Sequence, residues 1–140
     1  MKILFAADGS KYTKKALAFL VTHDSLAGPE GEVVVINVQA PVPGRVSSML
    51  GATEVAAYHA EESQKVLVTI ERFLTRHKIT FKTRAVVGAP TAEILRAAKR
   101  EKAHMIVMGT HGHGILGRAV MGSVAQRVVT DAEIPVLLVK

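Results

Sequence analysis

Val33-Val34-Val35-Ile36-Asn37-Val38 places five β-branched aliphatic residues in six positions, without the apolar–polar alternation of a strand that has one wet face. The run is too short for a helix, and turn chemistry precedes it at Gly28-Pro29-Glu30-Gly31. Such a strand is buried on both faces, which is the mark of a parallel sheet covered by helices on each side. Ile3-Leu4-Phe5-Ala6-Ala7, Met105-Ile106-Val107-Met108 and Val136-Leu137-Leu138-Val139 have the same character. A further strand differs: Phe81, Thr83 and Ala85 alternate with Lys82, Arg84 and Val86, and charges there suit a sheet edge, where they discourage unwanted pairing.

Helical patterns fill the intervals. Ser10 is placed to cap a helix carrying Tyr12, Ala16, Phe19 and Leu20. Ser63, Val66, Leu67, Ile70, Phe73 and Leu74 form one stripe of a long helix. Pro90 opens another, with Ile94, Leu95 and Ala98 facing inward, and a last one runs from about Ser123 to Asp131. Residues 41–53 hold Pro41, Pro43, Gly44, Ser47, Ser48 and Gly51, and read as a long irregular stretch, the usual form of a lid or mobile segment. Strand–helix alternation of this kind gives an α/β fold, a Rossmann-like open sheet of five parallel strands with helices on both faces. The absence of repeats and linkers predicts a single domain over 1–140.

Composition narrows the function. The 140 residues are 49% hydrophobic and 21% charged, the balance of an ordered globular domain. Without cysteine there are no disulfides, thiolate metal sites or cysteine nucleophiles. Neither a membrane-length apolar run nor a signal peptide is legible, so the expected location is cytoplasmic, with no membrane partner. A net charge of +6 favours phosphates, but six scattered Phe and Tyr make a poor stacking platform. The charge is better read as solvated surface (Lys14, Lys15, Arg72, Arg76, Lys82, Arg84, Lys99, Arg100, Lys102) than as a nucleic-acid stripe.

In open α/β sheets ligands bind beyond the carboxyl ends of the strands. That rule selects Asp8-Gly9-Ser10, the residues after Gln39, Gly88-Ala89-Pro90, and Gly109 onward. Five of the eleven glycines, Gly109, Gly112, Gly114, Gly117 and Gly122, fall in the last of these. Glycine allows close backbone approach to a phosphate, and the following helix would offer free N–H groups and a favourable dipole. Arg118 is the nearest cation, with Arg45 a second in the 41–53 stretch.

Gly112-His113-Gly114-Ile115-Leu116-Gly117 satisfies the dinucleotide spacing, but no acid stands at the end of the next strand, which closes at Val139-Lys140. A P-loop is absent as well. His111 and His113 have ligand-like spacing without a third ligand nearby, so they are read as loop histidines and no metal site is expected.

Gly109-Thr110-His111-Gly112, nine residues, then Gly122-Ser123 make up G-x2-G-x9-G-S. This resembles the ATP-binding branch of the universal stress protein family. Asp8-Gly9-Ser10, Ala16-Leu17, Ile36-Asn37-Val38, Gly88-Ala89-Pro90, Ile106-Val107-Met108-Gly109, Gly122-Ser123-Val124 and Pro135-Val136-Leu137 follow the family's order along the chain. The resemblance implies strand order 3-2-1-4-5 and a homodimer formed through Val136–Val139. It also implies ATP as ligand: Asp8 on the ribose hydroxyls, Val38 against adenine, and Met108 and Gly109 as the wall around adenine and ribose. Gly112, Gly122, Ser123 and the Val124 amide would hold the phosphates, with a hydroxyl available to them or to a bound magnesium, and Arg118 nearby. Ala6 stands where members often carry proline, which loosens the adenine wall, and His104 replaces a common acid, read as a surface change.

No nucleophile elbow or paired carboxylates accompany this motif, so the expected function is a nucleotide-dependent regulatory or stress-response module, not an enzyme of high turnover. Slow ATP hydrolysis or autophosphorylation, involving Ser123 or Thr110, is compatible with it. The alternative is an interaction protein of the same fold that binds no nucleotide.

Overall fold

The computed structural model describes residues 1–111 and 121–140. Five strands, β1 (Lys2–Ala6), β2 (Glu32–Gln39), β3 (Phe81–Val87), β4 (Met105–Gly109) and β5 (Val136–Val139), form one sheet of order β3-β2-β1-β4-β5. Every pairing is parallel: Leu4 lies between Val34 and Ile106, Asn37 is opposite Ala85, and Val107 is opposite Leu137. The order reverses direction between β1 and β4, so a crevice opens where the connections after these strands leave on opposite faces.

Helices α1 (Lys11–Thr22) and α3 (Ala52–Arg76) cover one face, and α4 (Pro90–Arg100) and α5 (Ser123–Asp131) the other. The β2 run is buried throughout from Val33 to Asn37, as its lack of alternation requires. Alternate residues feed two cores. Ile3, Phe5, Val33 and Val35 pack beneath α1 and α3, while Leu4, Val34, Ile36 and Ile106 pack beneath α4 and α5. Ser10 caps α1 by accepting from the Thr13 N–H, and Pro90 occupies the first turn of α4.

One expectation is corrected and two are extended. The stretch 41–53 is not irregular: α2 (Gly44–Leu50) lies within it, and α3 already begins at Ala52. Pro43 precedes the first turn and Gly51, at φ 84°, ends the last, so the turn-forming residues punctuate a helix instead of replacing one. Val46, Met49 and Leu50 do stand at helical spacing in α2, but they remain exposed, and the flanking Pro43, Gly44 and Gly51 outweigh so short a pattern. His104 is exposed, as the surface reading expected, and it also ties down the start of β1: its Nδ1 accepts the Lys2 N–H at 2.9 Å and its backbone N–H donates to the Lys2 carbonyl at 2.8 Å.

β3 is an edge strand as its charges suggested, and those charges do more than guard the edge. Lys82 Nζ lies 3.0 Å from Glu101 Oε2 and Arg84 Nε 3.2 Å from Oε1, around a carboxylate only 8% exposed. The hydrogen bond from Lys82, with Arg84 behind it, holds the Glu101 carboxyl below its ordinary value of 4.5 against the opposing effect of burial. A carboxyl depressed in the folded state contributes stability above the ordinary carboxylate range, and loses it as pH falls through the lowered value. The thermal midpoint is therefore expected to fall on acidification below about pH 4.5, and Glu101→Gln to lower the neutral midpoint while flattening that acid limb. Melting curves over this pH range check it; parallel acid limbs in the two proteins would contradict it.

Candidate nucleotide-site geometry

At the carboxyl edge of β1, β2 and β4 the structure holds a cavity of about 570 Å³, within the range of small-ligand sites. Its walls are mostly aliphatic. Ala6, Ile36, Val38 and Met108 come from strand ends, and Pro90 and Ile94 from the start of α4. Its polar rim consists of Asp8 and Thr13 on one side and Gly122, Ser123 and Val124 on the other, with His111 between.

Asp8 is positioned by local chemistry. Its Oδ1 accepts the Ser10 N–H at 2.9 Å and the Thr13 hydroxyl at 2.8 Å, and its own N–H donates to Thr13 Oγ1 at 3.0 Å. These bonds satisfy the start of α1 and hold the carboxylate against the cavity. Gly9 turns the chain between them at φ 82°, where a side chain would be strained and its Cβ would meet Val66 Cγ2 at 3.0 Å. Asp8 is thus both a capping residue and a cavity residue.

Across the cavity, Gly122 at the start of α5 supplies no side-chain cap, and the first turn of the helix has no acidic residue. The Gly122 N–H donates to the Thr110 carbonyl at 2.6 Å, and its C=O takes the first helical bond, from Gln126. The N–H groups of the first turn have no intrahelical partner and carry the positive end of the helix dipole, a setting suited to an anion. His111 approaches Thr110 Oγ1 at 3.0 Å and its ring centroid lies 4.7 Å from that of Tyr12. Among the described residues no group of three His, Asp or Glu could hold a metal ion.

The cavity brings together Ala6, Asp8, Val38, Met108, Gly109, Gly122, Ser123 and Val124, eight positions named from the sequence. Gly112 and Arg118, and His113 with them, lie outside the described residues. Sequence reasoning did not name Ala7, Thr13, Ile36, Ala40, Pro90, Ile94, His111 and Ala125 as site residues. Pro90 was within reach, since Gly88-Ala89-Pro90 follows a strand end. Thr13 was not, because only the folded turn brings its hydroxyl back to Asp8.

The universal stress protein family profile matches residues 1–140. The chain belongs to that family. Universal stress proteins of Methanocaldococcus jannaschii (MJ0531) and Thermus aquaticus are 31% and 34% identical to it. The alignments cover 99% of this chain in both cases, and 81% and 97% of the relatives. Among solved structures, that of MJ0577, another universal stress protein of M. jannaschii, superposes with a TM-score of 0.87 at 29% identity, covering 99% of this chain and 94% of that one. A universal stress protein from Archaeoglobus fulgidus solved in complex with dAMP shares the fold at a TM-score of 0.67 and 23% identity, with 100% and 98% coverage. The strand order 3-2-1-4-5 expected from the resemblance is the one observed.

Proposed function

We propose that residues 1–140 act as one unit that binds ATP in the cavity at the carboxyl edge of the sheet and serves as a nucleotide-dependent regulatory module. One observation carries this reading: aliphatic walls, the Asp8 carboxylate and the N-terminus of α5 converge on one cavity of about 570 Å³. The aliphatic slot between Val38 and Met108 suits a flat base, Asp8 suits the ribose hydroxyls, and the first turn of α5 with Ser123 suits the phosphates. Family relatives in fold solved with AMP and with dAMP are consistent with an adenine ligand. A magnesium ion would sit with the phosphates beside the Ser123 hydroxyl. Asp8 Oδ1 is committed to Ser10 and Thr13, so the reading is of a binding site with little turnover.

The direct test is to denature the purified protein and look for adenine nucleotide by mass spectrometry, then titrate the stripped protein with ATP and GTP by calorimetry. ATP is expected to bind and GTP to bind far more weakly; no heat from ATP at millimolar concentration would end the nucleotide reading and favour the nucleotide-free alternative.

The same reading includes a homodimer through β5. The carbonyls of Pro135 and Val139 accept from the N–H groups of Ile106 in β4 and of Thr110 just beyond it, so the intervening Val136 and Leu138 turn their backbone groups to the open edge. Sedimentation is expected to give twice the 15.0 kDa chain mass. Leu138→Pro removes an outward N–H while sparing the β4 ladder, and is expected to yield monomer.

A further inference from the structure

Asn37 is the one polar side chain among the large, fully buried ones of the described residues, at 1% exposed on a strand whose other buried residues are Val and Ile. An aliphatic residue would serve packing there as well or better, because a buried amide is tolerated only when its hydrogen bonds are made. They are made, and in a definite direction. Asn37 Nδ2 donates to the Ala7 carbonyl at 2.8 Å, while Oδ1 accepts from Ser63 Oγ and from Gln39 Nε2, both at 3.0 Å. Two donors converging on Oδ1 fix the amide orientation, so Nδ2 is aimed at Ala7.

Ala7 is the residue between the last pair of β1 and Asp8. Its N–H still bonds to Ile36, and beyond it the chain leaves the sheet to put Asp8 against the cavity. Asn37 therefore holds the peptide group that joins Ala7 to Asp8, from the face opposite the cavity, and is itself held by Ser63 of α3.

We infer that Asn37, braced by Ser63, is a positioning residue for Asp8, and that it sets the preference of the site for an intact ribose. This rests on the proposed ATP reading, in which Asp8 meets the ribose hydroxyls. The Asn37 side chain touches no ligand; it fixes the Ala7–Asp8 peptide, so that the carboxylate stands at one depth and angle to the cavity. Without it, the Ser10 and Thr13 bonds still cap α1, but the Ala7 carbonyl loses its side-chain anchor and only the Ala7 N–H bond to Ile36 still ties the turn to β2.

The test compares ATP with 2′,3′-dideoxyATP by calorimetry in wild type, Asn37→Leu and Ser63→Ala. Wild type is expected to prefer ATP, and Asn37→Leu to lose most of that preference, roughly tenfold, with little change in affinity for the dideoxy nucleotide. Ser63→Ala, which keeps the Asn37 donor and protects the test should Asn37→Leu not fold, should lose part of it. Asp8→Ala combined with Asn37→Leu should discriminate no worse than Asp8→Ala alone, because one residue acts through the other. A folded Asn37→Leu or Ser63→Ala protein with undiminished ribose preference overturns the inference and leaves the ATP reading standing. Wild type binding both nucleotides equally well overturns the ribose role of Asp8 and the inference together.

Discussion

Gly109→Ala is expected to destabilise the protein by about 3 kcal/mol and to lower its melting point by about 10 °C, although it adds a single methyl group. The reason lies in what the methyl would meet. A Cβ at Gly109 would fall 2.5 Å from Tyr12 Cβ, 2.9 Å from the Tyr12 carbonyl carbon and 3.0 Å from its oxygen. Two of these atoms are main chain of α1, so truncating the Tyr12 side chain would not relieve them. The helix would have to move off β4 and carry Ala16 and Leu17 out of the core with it. Gly88→Ala provides the contrast. Its Cβ would approach Glu93 Cγ at 2.7 Å, but this is a flexible side chain on the rim of α4 that pairs with Arg96 and can swing aside. Urea unfolding of the two variants should separate them clearly; equal losses would mean that α1 yields as readily as a glutamate side chain.

Gly122→Val is expected to weaken ATP binding at least roughly a hundredfold while leaving the fold in place. Gly122 sits at φ −73° and ψ 158°, an extended conformation that valine adopts without strain. The penalty would arise in the cavity, where a branched side chain would stand at the mouth of the α5 N-terminus and hold phosphates away from the first-turn amides. Ser123→Pro tests the same contact by subtraction: proline is welcome at the first position of a helix, yet it removes an amide N–H and the hydroxyl together. Both variants should melt near wild type and fail to bind. Undiminished affinity in both would place the phosphates away from α5.

Much of the architecture was readable because burial leaves a trace in residue type. The β2 run lacked alternation since both its faces are covered, whereas the strand order came from the family resemblance and not from any run. Helix α2 was hidden by the turn-forming Pro43, Gly44 and Gly51 around it, and its short apolar spacing of Val46, Met49 and Leu50 is exposed. The pairing of His104 with Lys2 joins residues about a hundred positions apart, and no local pattern announces it. The glycines after β4 read as a ligand loop, and Gly109 does line the cavity. Its lack of a side chain, however, is already required by the close approach of α1, which belongs to the packing of the fold. Asp8 was equally double: a capping acid and a ribose acid look alike in sequence, and here the capping turn is what presents the carboxylate to the cavity.

The two cores are not equivalent. The one beneath α1 and α3 closes over the carboxyl ends of the strands, whereas the one beneath α4 and α5 stops short and leaves the cavity between Ile36, Ile94 and Met108. With ATP seated there as proposed, the base would complete that apolar layer, and the ligand would count as part of the folded state. At a hundred times its dissociation constant a ligand adds about 2.7 kcal/mol to a protein that binds it only when folded. The survival time of this chain against heat and proteases would then rise and fall with the supply of nucleotide, so that its abundance would itself record the energetic condition of the cell.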